Sequence, residues 1–162
     1  MAIALLAWLV AIPLLGGLTG LRTMTPIAVL CWFSWLGHLD VYGTWASWTN
    51  SAISVAVFTV LAIGELIGDK LPNTPARTSA FPLIARIIFG GLVGAIAATG
   101  LAGSATEGAV LGAISAVVGA FLGFHIRQWL VKEQGCRDWW IAAGEDALTI
   151  MLAVLAMGIV TG

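Results

Sequence analysis

Apolar residues run through this chain in long blocks broken by short polar stretches, and the blocks have helical length. Six can be marked: about Ala2 to Thr19, Pro26 to Leu39, Ala52 to Gly68, Phe81 to Leu101, Glu107 to Val131 and Trp139 to Val160. A membrane-crossing helix needs about 20 apolar residues, so roughly 120 of the 162 residues fit into six spans. The pattern predicts an all-α fold, a polytopic bundle of about six transmembrane helices in one integral membrane domain over residues 1–162. The second block is the exception. Proline at position 26 suits a first helical turn with Thr25 as N-cap. From there to Gly37 the block holds only 12 residues, about 18 Å of helix against a core of about 30 Å. It must run on through His38 to Tyr42, stay short, or re-enter.

Composition agrees with the pattern. Sixty per cent of the residues are hydrophobic and only 9% are charged, against about 25% charged in soluble domains. So few charges cannot cover the surface of a water-soluble domain this size, and the mean hydropathy of +1.02 excludes a disordered chain. A net charge of −1 provides no footprint for nucleic acid, which is excluded as a partner. Membrane lipids are the expected surroundings. Cys31 lies in an apolar run and Cys136 beside Arg137, with no disulfide framework and no CxxC spacing. The first block lacks a basic n-region and a convincing cleavage site, which reads as a retained span rather than a signal peptide.

The seven basic residues give an orientation. Arg22, Lys70, Arg77, Arg86, Arg127, Lys132 and Arg137 all fall at one face of a six-span arrangement. The connections from His38 to Ser51 and from Gly103 to Glu107 carry neither Lys nor Arg. By the positive-inside rule this face is cytoplasmic, so a multi-pass protein of the bacterial inner membrane with both termini outside is expected. Tyr42, Trp45 and Trp48 then mark the outer boundary, and Trp129, Trp139 and Trp140 the inner one. Trp32 and Trp35 read as deeper packing residues.

Small residues recur four apart at Gly16 and Gly20, Gly90 and Gly94, and Gly119 and Gly123, a spacing that lets helix backbones approach. Dense packing within one bundle explains them, and a homo-oligomer seam is the other reading. Ala62-Ile63-Gly64-Glu65 and Ala142-Ala143-Gly144-Glu145 stand 80 residues apart. They raise a 3+3 inverted repeat, with halves 1–75 and 76–162, as a further expectation.

Ionisable residues inside membrane segments are expensive and therefore mark candidate sites. Here they gather in one inner-leaflet layer. Glu65 and Asp69 are four apart on one helix face, Arg22 closes the first span, and Arg86 lies inside the fourth. His125 and Arg127 close the fifth span, and Glu145 with Asp146 lie about two turns into the last. Asp40 and Glu107 sit apart, near the other interface. The plain reading is a set of neutralising ion pairs tying the spans together. The sharper one is a binding site for a small ion, a proton or a phosphate-bearing head group, which Arg can grip through its planar fork. No metal-ligand set is readable, no cofactor is expected, and His125 reads as an interfacial residue.

The connection GELIGDKLPNTPARTSAFP is the most distinctive stretch. Pro72, Pro75 and Pro82 oppose regular helix there, while Lys70 and Arg77 place positive charge at the membrane surface. Together with GLRTMTPIAVL (Gly20 to Leu30), GELIGDKLPNTPARTSAFPLIAR (Gly64 to Arg86) and the later IRQWLV and GEDALTI, it resembles an uncharacterised bacterial family of small membrane proteins. That family is marked by GLRxxxP and GExxxDKLPxTPxRT motifs. The resemblance implies Arg22, Pro26, Glu65, Asp69, Lys70, Pro72, Arg77, Arg86, Glu145 and Asp146 as positions to watch, and brings no established activity.

Three function classes stay open. A transport or permeation protein for a small solute, ion or lipid head group fits the intramembrane charge and broken segments. A membrane-embedded enzyme on a lipid or isoprenoid phosphate would use carboxylates for a metal ion and arginines for phosphate, yet no DxxD-type, Ser-His-Asp or HExxH pattern is present. A structural or assembly subunit would use the charged layer to dock a larger membrane complex. The residues lean toward the first class and away from an enzyme.

Overall fold

The computed structural model describes residues 7–69, 79–135 and 137–162. Among them all regular structure is helical, with no strand. The α-helices are α1 (Ile12–Leu21), α2 (Met24–Trp35), α3 (Ala52–Gly68), α4 (Ala80–Gly100), α5 (Ala105–Lys132) and α6 (Asp138–Thr161). Three of them, α4, α5 and α6, are long and apolar enough to cross a membrane. The other three are shorter apolar helices.

Local chemistry explains most of the boundaries. Ser51 accepts a hydrogen bond from the Ser54 N–H at 3.1 Å and starts α3. Ser104 accepts from the Glu107 N–H at 3.4 Å and starts α5, the Ser-x-x-Glu pattern of a helix N-terminus. Pro82 does not oppose helix here. It stands third in α4, in the first turn, where an N–H has no intrahelical acceptor and its loss is harmless. A π-helical stretch, Ala7–Ala11, leads into α1. Pro13, second in α1, has no N–H for the carbonyl four residues back, and the coil widens just before it.

The second helix corrects one expectation and resolves another. It begins at Met24, so Thr25 lies within the first turn and is not its N-cap. It also stays short. After Trp35 the chain turns at Gly37 (φ 79°) and Gly43 (φ 70°), left-handed positions that favour glycine. It then folds into the end of the bundle, burying Leu39, Val41, Ala46 and Thr49. A 3₁₀ turn, Ser47–Asn50, completes the segment. Thr49 and Ser34 share a hydrogen bond of 3.0 Å, and Trp45 Nε1 donates to Thr99 Oγ1 at 3.1 Å. The short α2 also brings Trp32 and Trp35 to this end, where they are half-exposed (41% and 45%) rather than deep packing residues.

On α5 the usual pairing of size and burial is inverted, while Ile12, Leu15, Ile27, Leu30, Ile96 and Met157 fill the core elsewhere. The buried face of α5 consists of Gly108, Gly112, Ala116, Gly119, Ala120 and Gly123. Its large residues Val110, Ile114, Val118 and Leu122 are 57–60% exposed. Gly16 and Gly20 of α1 lie against the backbone of α5 at Gly112 and Ala116, while Gly90 and Gly94 of α4 lie against Gly112 and Gly108. No room exists for a Cβ at these contacts, so α1, α4 and α5 pack backbone to backbone, and α6 and α2 join at α1. Helices pack this way where van der Waals contact, not burial of large apolar groups from water, drives association. The glycine spacings thus serve packing within the chain. The third helix lies outermost, held mainly by α2, with only Val55 and Ala62 buried.

The helices alternate in direction: α4 runs antiparallel to α5, with Gly90 on Gly112 and Gly94 on Gly108. Contacts among Arg22, Glu65, Asp69, Arg127 and Asp146 join the ends of α1, α3 and α5 to the starts of α2 and α6 at one end of the bundle. Glu65 and Glu145 both lie at that end, whereas an inverted repeat sets equivalent residues at opposite faces. The first three helices have 10, 12 and 17 residues, the last three 21, 28 and 24. The two Gly-Glu tetrapeptides do not stand as inverted equivalents.

Candidate functional site

The site is built where α1 gives way to α2. Arg22 leaves the helix with an extended backbone (φ −135°, ψ 110°), its N–H still held by the Leu18 carbonyl. Only Arg22 and Thr23 separate α1 from α2, so the guanidinium is fixed at the junction and is fully buried. A charge removed from water must be paired. The partners come from two other helices. Arg22 Nη1 donates to Asp69 Oδ2 at the end of α3, and Arg22 Nη2 lies 2.6 Å from Asp146 Oδ1 on α6. Glu145 Oε2 stands 3.8 Å from the same nitrogen.

Glu65 and Asp69 share one face of α3 because they are one turn apart. Asp69 takes the arginine, and Glu65 takes the backbone. The Thr23 and Met24 N–H groups donate to Glu65 Oε1 and Oε2, each at 2.7 Å. These donors open α2 and have no intrahelical partner. The side chain of Thr23, at the N-cap, forms no capping bond. The carboxylate of a neighbouring helix replaces it.

Arg127, near the end of α5, extends the network. Its Nη1 reaches Asp69 Oδ2 at 3.3 Å and lies 3.9 Å from Glu145 Oε2. Its Nε and Nη2 fork onto Asp138 at 2.9 and 2.8 Å. Asp69 therefore presents one oxygen to two arginines. The adjacent residues Glu145 and Asp146 point about 100° apart on α6, and Asp146 is the buried one (7% exposed).

Of the residues singled out in the sequence, Arg22, Glu65, Asp69, Arg127, Glu145 and Asp146 meet at this one place. Arg86 is buried in the second turn of α4, at the same end of the bundle. Lys70 and Arg77, with Pro72 and Pro75, lie outside the described residues, as does Cys136. His125 is exposed, with Nδ1 2.8 Å from the Phe121 carbonyl. Asp138 was missed because its place at the head of α6 reads as a solvated helix start. Its spacing of eleven from Arg127, across a short loop, was the available signal. Backbone donors such as those of Thr23 and Met24 carry no sequence signal at all. The opposite end holds an open, largely apolar cleft along α5, lined by Trp8, Thr106, Glu107, Val110, Leu111 and Ile114.

Chemically the network offers carboxylates, guanidiniums and backbone N–H groups in a water-poor setting. Among the described residues no group of His, Cys, Asp and Glu stands ready to hold a metal ion. No protein-family model, curated protein or solved structure matches the chain.

Proposed function

We propose that this chain is an integral protein of the bacterial inner membrane, with all six helices embedded, the charged end toward the cytoplasm and both termini outside. In this reading it is a transport or permeation protein, and the network around Arg22 is its solute site. The observation that carries the reading is a fully buried Arg22 whose charge is shared by carboxylates from α3 and α6. Intramembrane charge held by partners on separate helices is the usual mark of a solute or proton path. Large apolar side chains turned outward on α5 support the bilayer, since a protein in water hides them. The motif family belongs to the same proposal, carried by Arg22, Glu65, Asp69, Glu145 and Asp146. The test is uptake of labelled rubidium, chloride, formate and phosphate into proteoliposomes. At least one probe should enter faster than into protein-free vesicles, and Asp146→Asn should slow it about tenfold. No uptake of any probe, or equal uptake by the variant, sinks the reading.

One observation favours a second reading, a structural subunit of a larger membrane complex or homo-oligomer. The charged groups at the junction are already engaged with one another, as a lock between helices requires. Co-migration with other polypeptides after mild detergent extraction would favour it over transport.

A further inference from the structure

We infer that the N-terminus of α2 is a carboxylate seat, filled by Glu65 in this structure and open to exchange with a small free carboxylate of the formate or acetate class. The inference rests on the transport reading and names its solute.

The seat already has the two-point form a carboxylate needs. One oxygen takes the Thr23 N–H and the other the Met24 N–H, both at 2.7 Å, at a helix start whose dipole favours an anion. Independent evidence comes from donors that Glu65 leaves unused. The Thr25 hydroxyl, in the same first turn, is 4% exposed and has no hydrogen-bond partner among the described residues. The same holds for Nε of the fully buried Arg22, two residues before the helix. Buried donors are almost always satisfied, so a pair of orphans at one helix start points to a group that arrives from outside. A free carboxylate, untethered to α3, can move deeper than Glu65 and take the Thr25 hydroxyl. As Glu65 swings aside and a free carboxylate enters, the Thr23 and Met24 N–H groups face one negative charge before and after. Glu65 sits between Gly64 and Gly68, which have open space beside them, and that leaves the end of α3 room to withdraw.

The experiment uses the purified full chain in detergent, with sodium formate compared with sodium chloride at equal ionic strength. Glu65→Ala empties the seat, so its thermal midpoint should rise by several degrees in formate and not in chloride. Glu65→Gln fills the seat with an amide and should show no such difference. If Glu65→Ala responds alike to both salts, or Glu65→Gln responds as strongly, the seat holds ordered water or generic salt only and the inference fails. Should Glu65→Ala not fold, binding of labelled formate to the wild type and to Thr25→Val decides. The variant should bind about tenfold more weakly, the loss of one hydrogen bond, and equal or undetectable binding overturns the proposal. Formate that binds while no probe crosses proteoliposomes sinks the transport reading alone. Uptake of another probe without formate binding sinks the seat alone.

Discussion

Arg22 and Asp146 stand 124 residues apart in the chain and 2.6 Å apart in space, the guanidinium wholly buried and the carboxylate nearly so. A buried ion pair adds little over an apolar pair of the same shape, but removing one partner strands the other in low dielectric. Asp146→Asn should therefore destabilise the protein by about 3 kcal/mol, because Asp69 still holds half of the arginine. The unfolding midpoint in mixed micelles measures this. A loss below ~1 kcal/mol would mean that water reaches Arg22.

Arg127 and Asp138 form the better hydrogen-bonded fork but the weaker lock. The Asp138 side chain is 59% exposed, so water and salt compete for it. Asp138→Ala should cost about 0.5 kcal/mol, and that small difference should shrink as salt rises. Unfolding at low and high ionic strength checks both points.

Glycine substitutions should divide by helix. A Cβ on Gly20 would run into the backbone of Ala116 and Ala120, and one on Gly94 into the Gly108 carbonyl, neither of which can yield. Gly20→Ala and Gly94→Ala should each lose about 2 kcal/mol or more from overpacking. Gly64 and Gly144 face nothing within 4 Å, so alanine there should gain up to ~1 kcal/mol of helix propensity. Thermal midpoints of the four variants, run side by side, test the contrast.

Leu39 closes the end of the bundle away from the charges, set against Gly100 of α4 and 2% exposed. Leu39→Ala opens a cavity there and should cost about 2–4 kcal/mol. Trp45→Phe, which removes the bond to Thr99 and trims a half-exposed ring, should cost ~1 kcal/mol. Equal losses would show that the hydrogen bond, not the packing, holds the segment down.

Topology has a direct test. In a background with Cys31 and Cys136 replaced by Ala, a cysteine at Tyr42 and one at Gln134 should react with an impermeant maleimide from opposite sides of sealed vesicles. Both positions are exposed and lie at opposite ends of the bundle. Labelling from the same side would refute the six-helix membrane arrangement.

Apolar blocks alone were enough to place the helices. They are long, and their edges carry Ser51, Ser104 and short polar breaks that act on the chain within one turn. The start of α2 was misplaced because its cap is not local. Glu65 supplies it from 42 residues downstream of Thr23, and no window over the α1–α2 junction contains that information. Pro82 misled for a related reason, since the effect of proline depends on its place in a helix and not on its presence.

What the sequence determined by itself is the class of the molecule: helical and apolar, with most of its titratable groups drawn to one end. Those features follow from how each segment partitions between water and hydrocarbon, a property of composition. Only the tertiary structure decided that Asp69 joins two arginines, that Glu65 serves a backbone and not a side chain, and that α2 stays short under a folded-back loop. Those outcomes depend on how closely helices approach, and that closeness comes from glycines meeting glycines across α1, α4 and α5.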